Sequence, residues 1–446
     1  MYDLIILGAG TTGLRAGAQA AQLGKKVLMI ENNVIAGTCL NRGCIPTKLL
    51  IHGAELLQEL KHGKKFGIMG NFTPDFEQAM EHQRSVITEA QSKAEKNLRS
   101  FKKITIIKGT ASFIDKNTIK VNNKDYQGRY IIIATGGEPQ IPKVKGEDQV
   151  TLLDSTSALQ LTKKPETVVL VGGGYISIEF AFFFAMYGCK TILVYRGERI
   201  LKNEDPEITE VLQKNLEKIG IQFFLETEVL EVGKKGARKY IKIKTKKRTE
   251  DLICDEIMFN TGRKPNTEML HLEKIGIKTD KGNIPTNVYL QTNISHIYAI
   301  GDVNGKELFA HTGKREAKVA IQNIFGKKKI KMDYHAAPYA VFTYPQIGGV
   351  GIDEQTAKAR KIPYEVERAY FSQNGKAKIL YEPEGFVKLV FSKKGKLLGA
   401  RIIGAQAAEL IHEFILLMNV PGNQREIIHE TIHIHPTLSE VSEHLG

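Results

Sequence analysis

Two cysteines five positions apart, Cys39 and Cys44, share the glycine-bounded segment Gly37-Thr-Cys-Leu-Asn-Arg-Gly-Cys44-Ile-Pro46. A close pair in a chain with only four cysteines reads as redox or metal chemistry. Zinc needs further ligands, yet the nearest histidine is His52 and no second cysteine pair exists, so thiol–disulfide chemistry is the stronger reading. The other two, Cys189 and Cys254, stand alone in apolar stretches and read as inert core thiols. Unbroken helix would hold residues five apart beyond the disulfide limit of about 7 Å, so an oxidised pair requires a break, which Gly37 and Gly43 permit. Pro46 suits a first helical turn. Cys44 is therefore expected just before a helix running through His52 to about Glu59, where the positive helix end favours a thiolate.

A thiolate that opens a substrate disulfide leaves a second thiolate behind, and that product needs a proton from a histidine titrating near neutrality. The segment His433-Ile-His435-Pro-Thr-Leu-Ser-Glu440 supplies the candidate, His435, with Glu440 as a carboxylate to orient its ring. The same Thr437-Leu-Ser-Glu440 also reads as a capping box at a helix start, and the two readings are compatible. These residues are far from Cys39 and Cys44 in the sequence, so either the fold or a second subunit must bring them together.

The elements that position these groups follow from periodicity. Asp3-Leu-Ile-Ile-Leu7 reads as a strand, and Gly8-Ala-Gly10-Thr-Thr-Gly13 as a glycine turn. An alanine-rich helix ending at Gly24, a strand from Lys26 to Ile30 and then Glu31 follow. Strand, glycine turn, helix, strand and a terminal acid form a dinucleotide fingerprint: backbone N–H groups meet a pyrophosphate at a helix N-terminus, and Glu31 meets a ribose diol. The pattern recurs as a strand at Thr167 to Val171, a turn at Gly172-Gly-Gly174-Tyr-Ile-Ser177, a helix at Glu179 to Tyr187 and a strand at Thr191 to Tyr195. Ser177 replaces the third glycine. No acid follows; Tyr195-Arg196 stands there, with Arg199 and Lys202 shortly after, which suits a 2′-phosphate and favours NADPH over NADH.

A third block, Tyr298-Ala-Ile-Gly301-Asp302, ends a short strand with a carboxylate that can bind a polyhydroxyl chain. From about Ala336 the character changes: Tyr339 to Phe342, Phe386 to Phe391 and Leu398 to Ile403 read as antiparallel strands, and Ala407 to Met418 as a long helix.

The 446 residues call for two to four domains. No apolar run is long enough to cross a bilayer, and the first eight residues, interrupted by Asp3, read as a strand rather than a secretory leader. A cytoplasmic protein with no membrane partner is expected. The net charge of +14 is spread out, with dense patches only at Lys234 to Arg248 and Lys327 to Lys331. A lysine-rich hairpin and a solvated loop account for these, and no nucleic-acid partner is expected.

Gly37-Thr-Cys39-Leu-Asn-Arg-Gly-Cys44-Ile-Pro-Thr-Lys48 and His435-Pro-Thr-Leu-Ser-Glu440 together resemble the signature segments of the pyridine nucleotide-disulfide oxidoreductases, in the branch with dihydrolipoamide dehydrogenase, glutathione reductase and mycothione reductase. The resemblance covers nearly the whole chain. It implies an α/β fold with two Rossmann-like dinucleotide-binding domains, for FAD and NAD(P), plus a C-terminal α+β dimerisation domain. The implied boundaries are residues 1–149 for the first part of the FAD domain, 150–264 for the NAD(P) domain, 265–334 for the FAD return segment and 335–446 for the interface domain. Ala134-Thr135-Gly136 resembles the crossover between the nucleotide domains, and Asn260 to Asn266 the return.

The resemblance also implies roles. Cys39 is the thiol exchanging with substrate, Cys44 the thiol facing the flavin, and Lys48 lies by the flavin N5. His435, backed by Glu440, arrives from the partner of a homodimer. Gly8, Gly10, Gly13, Glu31, Thr38, Ala111, Thr135, Gly136, Asp302 and Ala310 match FAD positions. Gly172, Gly174, Glu179, Arg196, Lys202 and Gly262 match nicotinamide-coenzyme positions, with Tyr175 covering the flavin until the nicotinamide enters.

The implied activity is dihydrolipoyl dehydrogenase-like: electrons pass between NAD(P)H and a dithiol or disulfide through FAD and the Cys39–Cys44 disulfide. The substrate is expected to be lipoamide or a small cellular disulfide. The alternatives are an NADPH-dependent reductase of a low-molecular-weight disulfide, similar to mycothione reductase, a flavin oxidase or metal-ion reductase, and a non-catalytic flavin-holding module. Three departures from the family stand out, the first two of which bear on the choice. Arg196 and Lys202 resemble NADPH users, whereas dihydrolipoamide dehydrogenases place an acid near Tyr195. Ala18 and Val319 stand where glutathione reductases carry substrate-binding arginines. Ala36 replaces the first glycine of a usual pair.

Overall fold

A computed structural model describes residues 1–422 and 424–445, which divide into two compact units. The first comprises residues 1–47, 80–140 and 262–333; the second comprises residues 48–79, 141–261 and 334–446.

In the first unit the buried apolar run Leu4 to Leu7 of strand β1 (Tyr2–Leu7) lies at the middle of a largely parallel sheet. Its neighbours are strand β2 (Val27–Glu31) on one side and the strand Lys124–Ile133 on the other. Beyond β2 lies Ile104–Lys108, and Ile297–Ala299 pairs in parallel with Lys124–Ile133. Strands buried on both faces read as continuous apolar runs, as β1 and β2 do. Helix α1 (Thr11–Gln22) packs against the helix Ala310–Phe325. The core beneath joins Ile5, Leu7, Leu28, Ile30, Ile131 and Ile297.

This register brings three turns to the C-terminal edge of adjacent strands, because Leu7 pairs with both Ile30 and Ile133, and Ala299 with Ile133. The glycine turn after Leu7, Ala134 to Gly136 after Ile133, and Gly301-Asp302 beyond Ala299 are thereby gathered on one edge. Ligands of doubly wound sheets bind there. The two crossover segments also run side by side: Gly137–Pro139 pairs antiparallel with Arg263–Pro265, extended by Asn266 N–H to Gly136 O and Gln140 N–H to Gly262 O, both 3.0 Å.

In the second unit a parallel sheet of order Gln222–Phe224, Lys190–Val194, Thr167–Val171, Glu256–Phe259 carries the second glycine turn. The following helix spans Tyr175–Met186, starting four residues before the expected Glu179, since the turn leads directly into it from Gly174. Its run Ile178 to Phe184 is buried all round, with Phe76, Phe183, Phe184 and Tyr187 in ring contact. The lysine-rich stretch forms a three-stranded antiparallel sheet, Glu228–Lys235, Arg238–Lys244 and Thr249–Cys254. Its cations are largely paired, for example Lys235 with Asp251 at 2.6 Å, Arg238 with Asp255 at 3.1 Å and Arg248 with Glu250 at 2.8 Å.

The C-terminal part of this unit is a five-stranded antiparallel sheet of order Pro338–Val341, Gln346–Gly351, Leu397–Gly404, Phe386–Ser392, Tyr364–Tyr370, covered by the helix Ala407–Met418. Two of its strands were not read from the sequence. Gln-Ile-Gly-Gly-Val-Gly351 is diluted by glycine, and Tyr-Glu-Val-Glu-Arg-Ala-Tyr370 alternates with charges that find partners in the fold. No helix among the described residues is long and apolar enough to cross a membrane.

Candidate active site

Cys39 lies in helix α2 (Gly37–Arg42), and Cys44 opens helix α3 (Cys44–Leu60), so the expected break falls at Gly43, with φ −149° and ψ −111°. The helix begins at Cys44 itself, one residue earlier than the sequence indicated, with Pro46 in its first turn, where no N–H is missed. The Thr47 hydroxyl donates to Gly43 O at 2.7 Å, tying the break to the new helix. Asn41 Nδ2 donates to the Ile35 and Gly37 carbonyls at 2.9 and 2.8 Å, fixing α2 on the turn before it. That turn passes close to the first glycine turn: Ala36 N–H meets Ala9 O at 2.8 Å, and a Cβ on Gly37 would lie 2.7 Å from the Gly10 Cα. Cys189 and Cys254 are buried, and burial pushes both thiols up to about 12, which keeps them protonated and unreactive.

The first-unit cofactor candidates line the strand edge. A side chain at Gly13 would run into the Gly8 carbonyl, so only glycine lets α1 start this close to β1. Glu31 ends β2 with its carboxylate held by the Ala9 and Asn33 N–H groups at 2.7 and 2.8 Å. Ala111 is buried beyond the neighbouring strand, and Ala310 is the first residue of its helix. Asp302 sits 3.8 Å from Arg263; burial raises its pKa, against the lowering pull of that guanidinium. Buried hydroxyl oxygens of Thr135 and Thr312 and the Asn41 Oδ1 have no protein partner. Unpaired buried polar atoms beside an open glycine turn suit a large polar group such as FAD. A residue missed in the sequence shapes the same edge: Glu316, wholly buried, accepts Gly301 N–H at 2.6 Å and Asn304 Nδ2 at 3.0 Å, fixing the Asp302 turn. Its carboxylate is hidden fifteen positions away on a helix, where no local pattern marks it.

The second glycine turn repeats this geometry, with Gly172 at φ +127° matching Gly8 at φ +103° and Gly174 open to solvent, with no atom within 4 Å of a Cβ built there. Ser177 is fully buried in place of the third glycine, and its hydroxyl, like the Asn260 Nδ2, has no protein partner. Tyr195 lays its ring across Gly173 and Gly197. Arg196 and Lys202 are exposed and, among the described residues, neither forms an ion pair. Tyr175 opens the helix and is half-buried. Gly262, at φ +152°, lies in the first unit.

Glu179, 3% exposed, receives Lys48 Nζ at 2.9 and 2.7 Å and Phe342 N–H at 3.0 Å. Burial raises the carboxyl pKa, opposed by the Lys48 charge and the hydrogen bonds. The ammonium also lies 4.6 Å from the centre of the Phe342 ring, a residue with no sequence signal for this role. The Lys48 side chain is thus anchored one helical turn after Cys44. At the C-terminus, His435 Nδ1 lies 2.6 Å from Glu440 Oε1, and the ring is 79% exposed. Among the described residues no group of three or more His, Cys, Asp or Glu side chains is arranged to hold a metal ion.

The family model for the pyridine nucleotide-disulphide oxidoreductases matches residues 2–323, and the model of that family's dimerisation domain matches residues 337–445. The chain belongs to the pyridine nucleotide-disulphide oxidoreductase family. It is an FAD- and pyridine nucleotide-dependent disulfide oxidoreductase. It is similar to the dihydrolipoyl dehydrogenase of Geobacillus stearothermophilus, with 36% identity covering 99% of this chain and 94% of the relative. The dihydrolipoyl dehydrogenase of Bacillus subtilis strain 168 is 34% identical, with the same coverage. Among solved structures, the HOCl-induced flavoprotein disulfide reductase RclA of Escherichia coli superposes with a TM-score of 0.90 at 27% identity, covering 99% of this chain and 98% of that one.

Proposed function

We propose that this oxidoreductase is a cytoplasmic, dihydrolipoyl dehydrogenase-like homodimer that exchanges electrons between NADPH, in preference to NADH, and a lipoyl or other small disulfide. The observation that carries the reading is the His435–Glu440 pair at 2.6 Å, a proton carrier oriented by a carboxylate yet largely exposed. Such a pair is complete only when a disulfide centre meets it. In a homodimer the partner subunit's redox segment supplies that centre, and the exposed Ile432 and Ile434 beside His435 are the apolar surface such an interface buries.

In this reading Gly8, Gly10, Gly13, Glu31, Thr38, Ala111, Thr135, Gly136, Asp302 and Ala310 hold FAD. Gly172, Gly174, Tyr175, Glu179, Arg196, Lys202 and Gly262 hold the nicotinamide coenzyme. Residues 1–149 and 265–334 form the FAD domain, 150–264 the coenzyme domain and 335–446 the interface. Bound FAD supplies the two-electron relay between nicotinamide and protein thiols. Lys48, anchored by Glu179, would lie beside the flavin. For reduction of a substrate disulfide, the Cys39 thiolate attacks one sulfur, and the other leaves as a thiolate that takes a proton from His435. The Cys44 thiolate then attacks the Cys39 sulfur, forming the Cys39–Cys44 disulfide and releasing the second substrate sulfur as a thiolate, which takes its proton from water.

Anaerobic titration of the purified holoprotein with NADPH, and separately NADH, tests this. A long-wavelength thiolate-to-flavin band is expected, reached with less NADPH than NADH, and lost in Cys44→Ser. Flavin bleaching without that band would remove the cysteine pair from the electron path, and turnover of lipoamide surviving in Cys39→Ser would remove its role as the exchanging thiol.

A further inference from the structure

The segment from Tyr195 to Asp205 is a turn tied down along its whole length. Tyr195 N–H donates to Phe224 O at 2.9 Å and Leu201 N–H to Gly173 O at 2.7 Å, so the turn is sewn to both the neighbouring strand and the glycine turn. Glu226 N–H reaches Gly197 O at 2.9 Å, and Glu204 N–H reaches Leu201 O at 2.7 Å. The far end is bolted to the C-terminal sheet: Glu204 meets Arg401 at 3.2 Å and the Tyr339 hydroxyl, and Asp205 meets Lys388 at 2.7 Å, with Lys388 and Asp205 each 2% exposed. Arg196, Glu198, Lys202 and Asn203 are exposed, and Arg196 and Lys202 are the two cations among them.

Arg199 differs from its two basic neighbours. Its guanidinium turns back into the turn: Nη2 donates to the Lys202 carbonyl at 2.9 Å and to Gln355 Oε1 at 3.3 Å, and its Nε is buried. Gln355 belongs to the short helix Glu354–Ala359 of the C-terminal part, capped by Asp353 accepting Thr356 N–H at 2.7 Å. A side chain so engaged is not free to close on a phosphate, but it fixes the backbone from which Lys202 projects. We propose that Arg199, braced by Gln355, is a positioning residue for the coenzyme 2′-phosphate, holding the 196–202 turn so that Arg196 and Lys202 are presented at fixed separation. A turn whose backbone is already fixed leaves only the two cationic side chains to be ordered on binding. The C-terminal part of the chain thereby takes a share in coenzyme choice. This rests on the reading that Arg196 and Lys202 select NADPH.

The test compares KM for NADPH and NADH, and inhibition by adenosine 2′,5′-bisphosphate against ADP, in the FAD-loaded enzyme. First, Arg196→Ala with Lys202→Ala is expected to raise KM for NADPH and to weaken the bisphosphate while leaving ADP unchanged. If the parent enzyme prefers NADH and this double variant changes nothing, the NADPH reading fails and the inference falls with it. Given a parent that prefers NADPH, Arg199→Met is expected to raise KM for NADPH and weaken the bisphosphate about tenfold, with KM for NADH within about twofold, because the lost contact acts only through the phosphate. Gln355→Leu is expected to show a smaller effect of the same kind, and Gln355→Glu, which makes the brace an ion pair, to retain parental selectivity. In the Arg196→Ala/Lys202→Ala background Arg199→Met is expected to add nothing. An equal effect of Arg199→Met on both coenzymes, no effect at all, or a further loss in that background would overturn the positioning role while leaving the NADPH reading standing.

Discussion

Glu440 serves His435 and its own helix start at once: Oε1 lies 2.6 Å from His435 Nδ1, and Oε2 accepts the Thr437 N–H at 2.5 Å. The capping contact therefore aims the carboxylate that orients the imidazole, and both sequence readings of Thr437-Leu-Ser-Glu440 hold together. The Thr437 N–H, with His435 second, keeps the Glu440 carboxyl below the usual carboxylate range, so the pair stays ionised on its acidic side at neutral pH. Glu440→Gln retains an acceptor for Thr437 but removes the charge beside Nδ1. Steady-state turnover of a disulfide substrate is expected to fall about 10- to 100-fold, with FAD content and the melting temperature nearly unchanged. A variant within twofold of the parent would reduce Glu440 to a cap.

The Lys48–Glu179 pair carries a stability prediction with a pH sign. Burial already raises the Glu179 pKa, and Lys48 and the Phe342 N–H pull it back. Lys48→Met removes the largest of these restraints, so the folded-state pKa climbs further above its unfolded value. The folded variant then binds a proton that the unfolded chain has released, and its stability falls as pH rises from about 4.5. Parent and variant should differ little near pH 4.5 and by roughly 2 to 4 kcal/mol near pH 8 in urea unfolding. A gap independent of pH would mean Glu179 stays ionised without its partner. The same variant is expected to slow flavin reduction by NADPH in a stopped-flow experiment.

Both glycine turns, the Gly43 break and the His435–Glu440 pair were legible because each is a local pattern whose spacing is its own constraint. The helix Ala407–Met418 was legible for the same reason. What was not legible is contributed across long separations. Glu316 fixes the Asp302 turn from another helix, Phe342 contributes a backbone N–H and a ring face to the Lys48 site, and Gln355 reaches Arg199 over 156 positions. None changes the periodicity of its own segment. The glycine-rich strand Gln346–Gly351 was hidden for the opposite reason, since its residues lack strand propensity and pair only because neighbours on both sides hold them.

Ala36 holds a left-handed conformation, φ +71°, next to Gly37 at φ +61°. A side chain in this region costs about 1 kcal/mol over glycine, partly offset by the extra freedom glycine adds to the unfolded chain. The turn's Ala36 N–H to Ala9 O bond is made by the backbone and survives substitution. Ala36→Gly is expected to raise the denaturant midpoint by an amount equivalent to about 0.5 kcal/mol, with the slope unchanged and turnover intact. A loss of stability would show that the alanine methyl group makes a packing contribution larger than the strain.

Glu382 gives the second pH-linked prediction. Burial first, then the charges of Glu59, Glu55 and Glu384, push its carboxyl up to about 7. Glu55 and Glu59 face it from α3. Of the neighbouring carboxylates, Glu384 lies 3.8 Å from Lys218 and Glu55 3.6 Å from His52. A carboxyl with a raised folded-state pKa contributes most below its unfolded value, and that contribution is lost as pH climbs through the window from about 4.5 to about 7. Discounted for partial exposure, the loss is about 2 kcal/mol by pH 8. Glu382→Gln keeps the shape and removes the charge, so it is expected to stabilise the protein by about that amount at pH 8 and to be neutral or slightly destabilising at pH 4.5. Thermal unfolding of both forms across this range should give curves that converge at low pH and separate above pH 6. If they stay parallel, the cluster is screened well enough that Glu382 ionises at its ordinary pH, and the four carboxylates repel one another too weakly to matter.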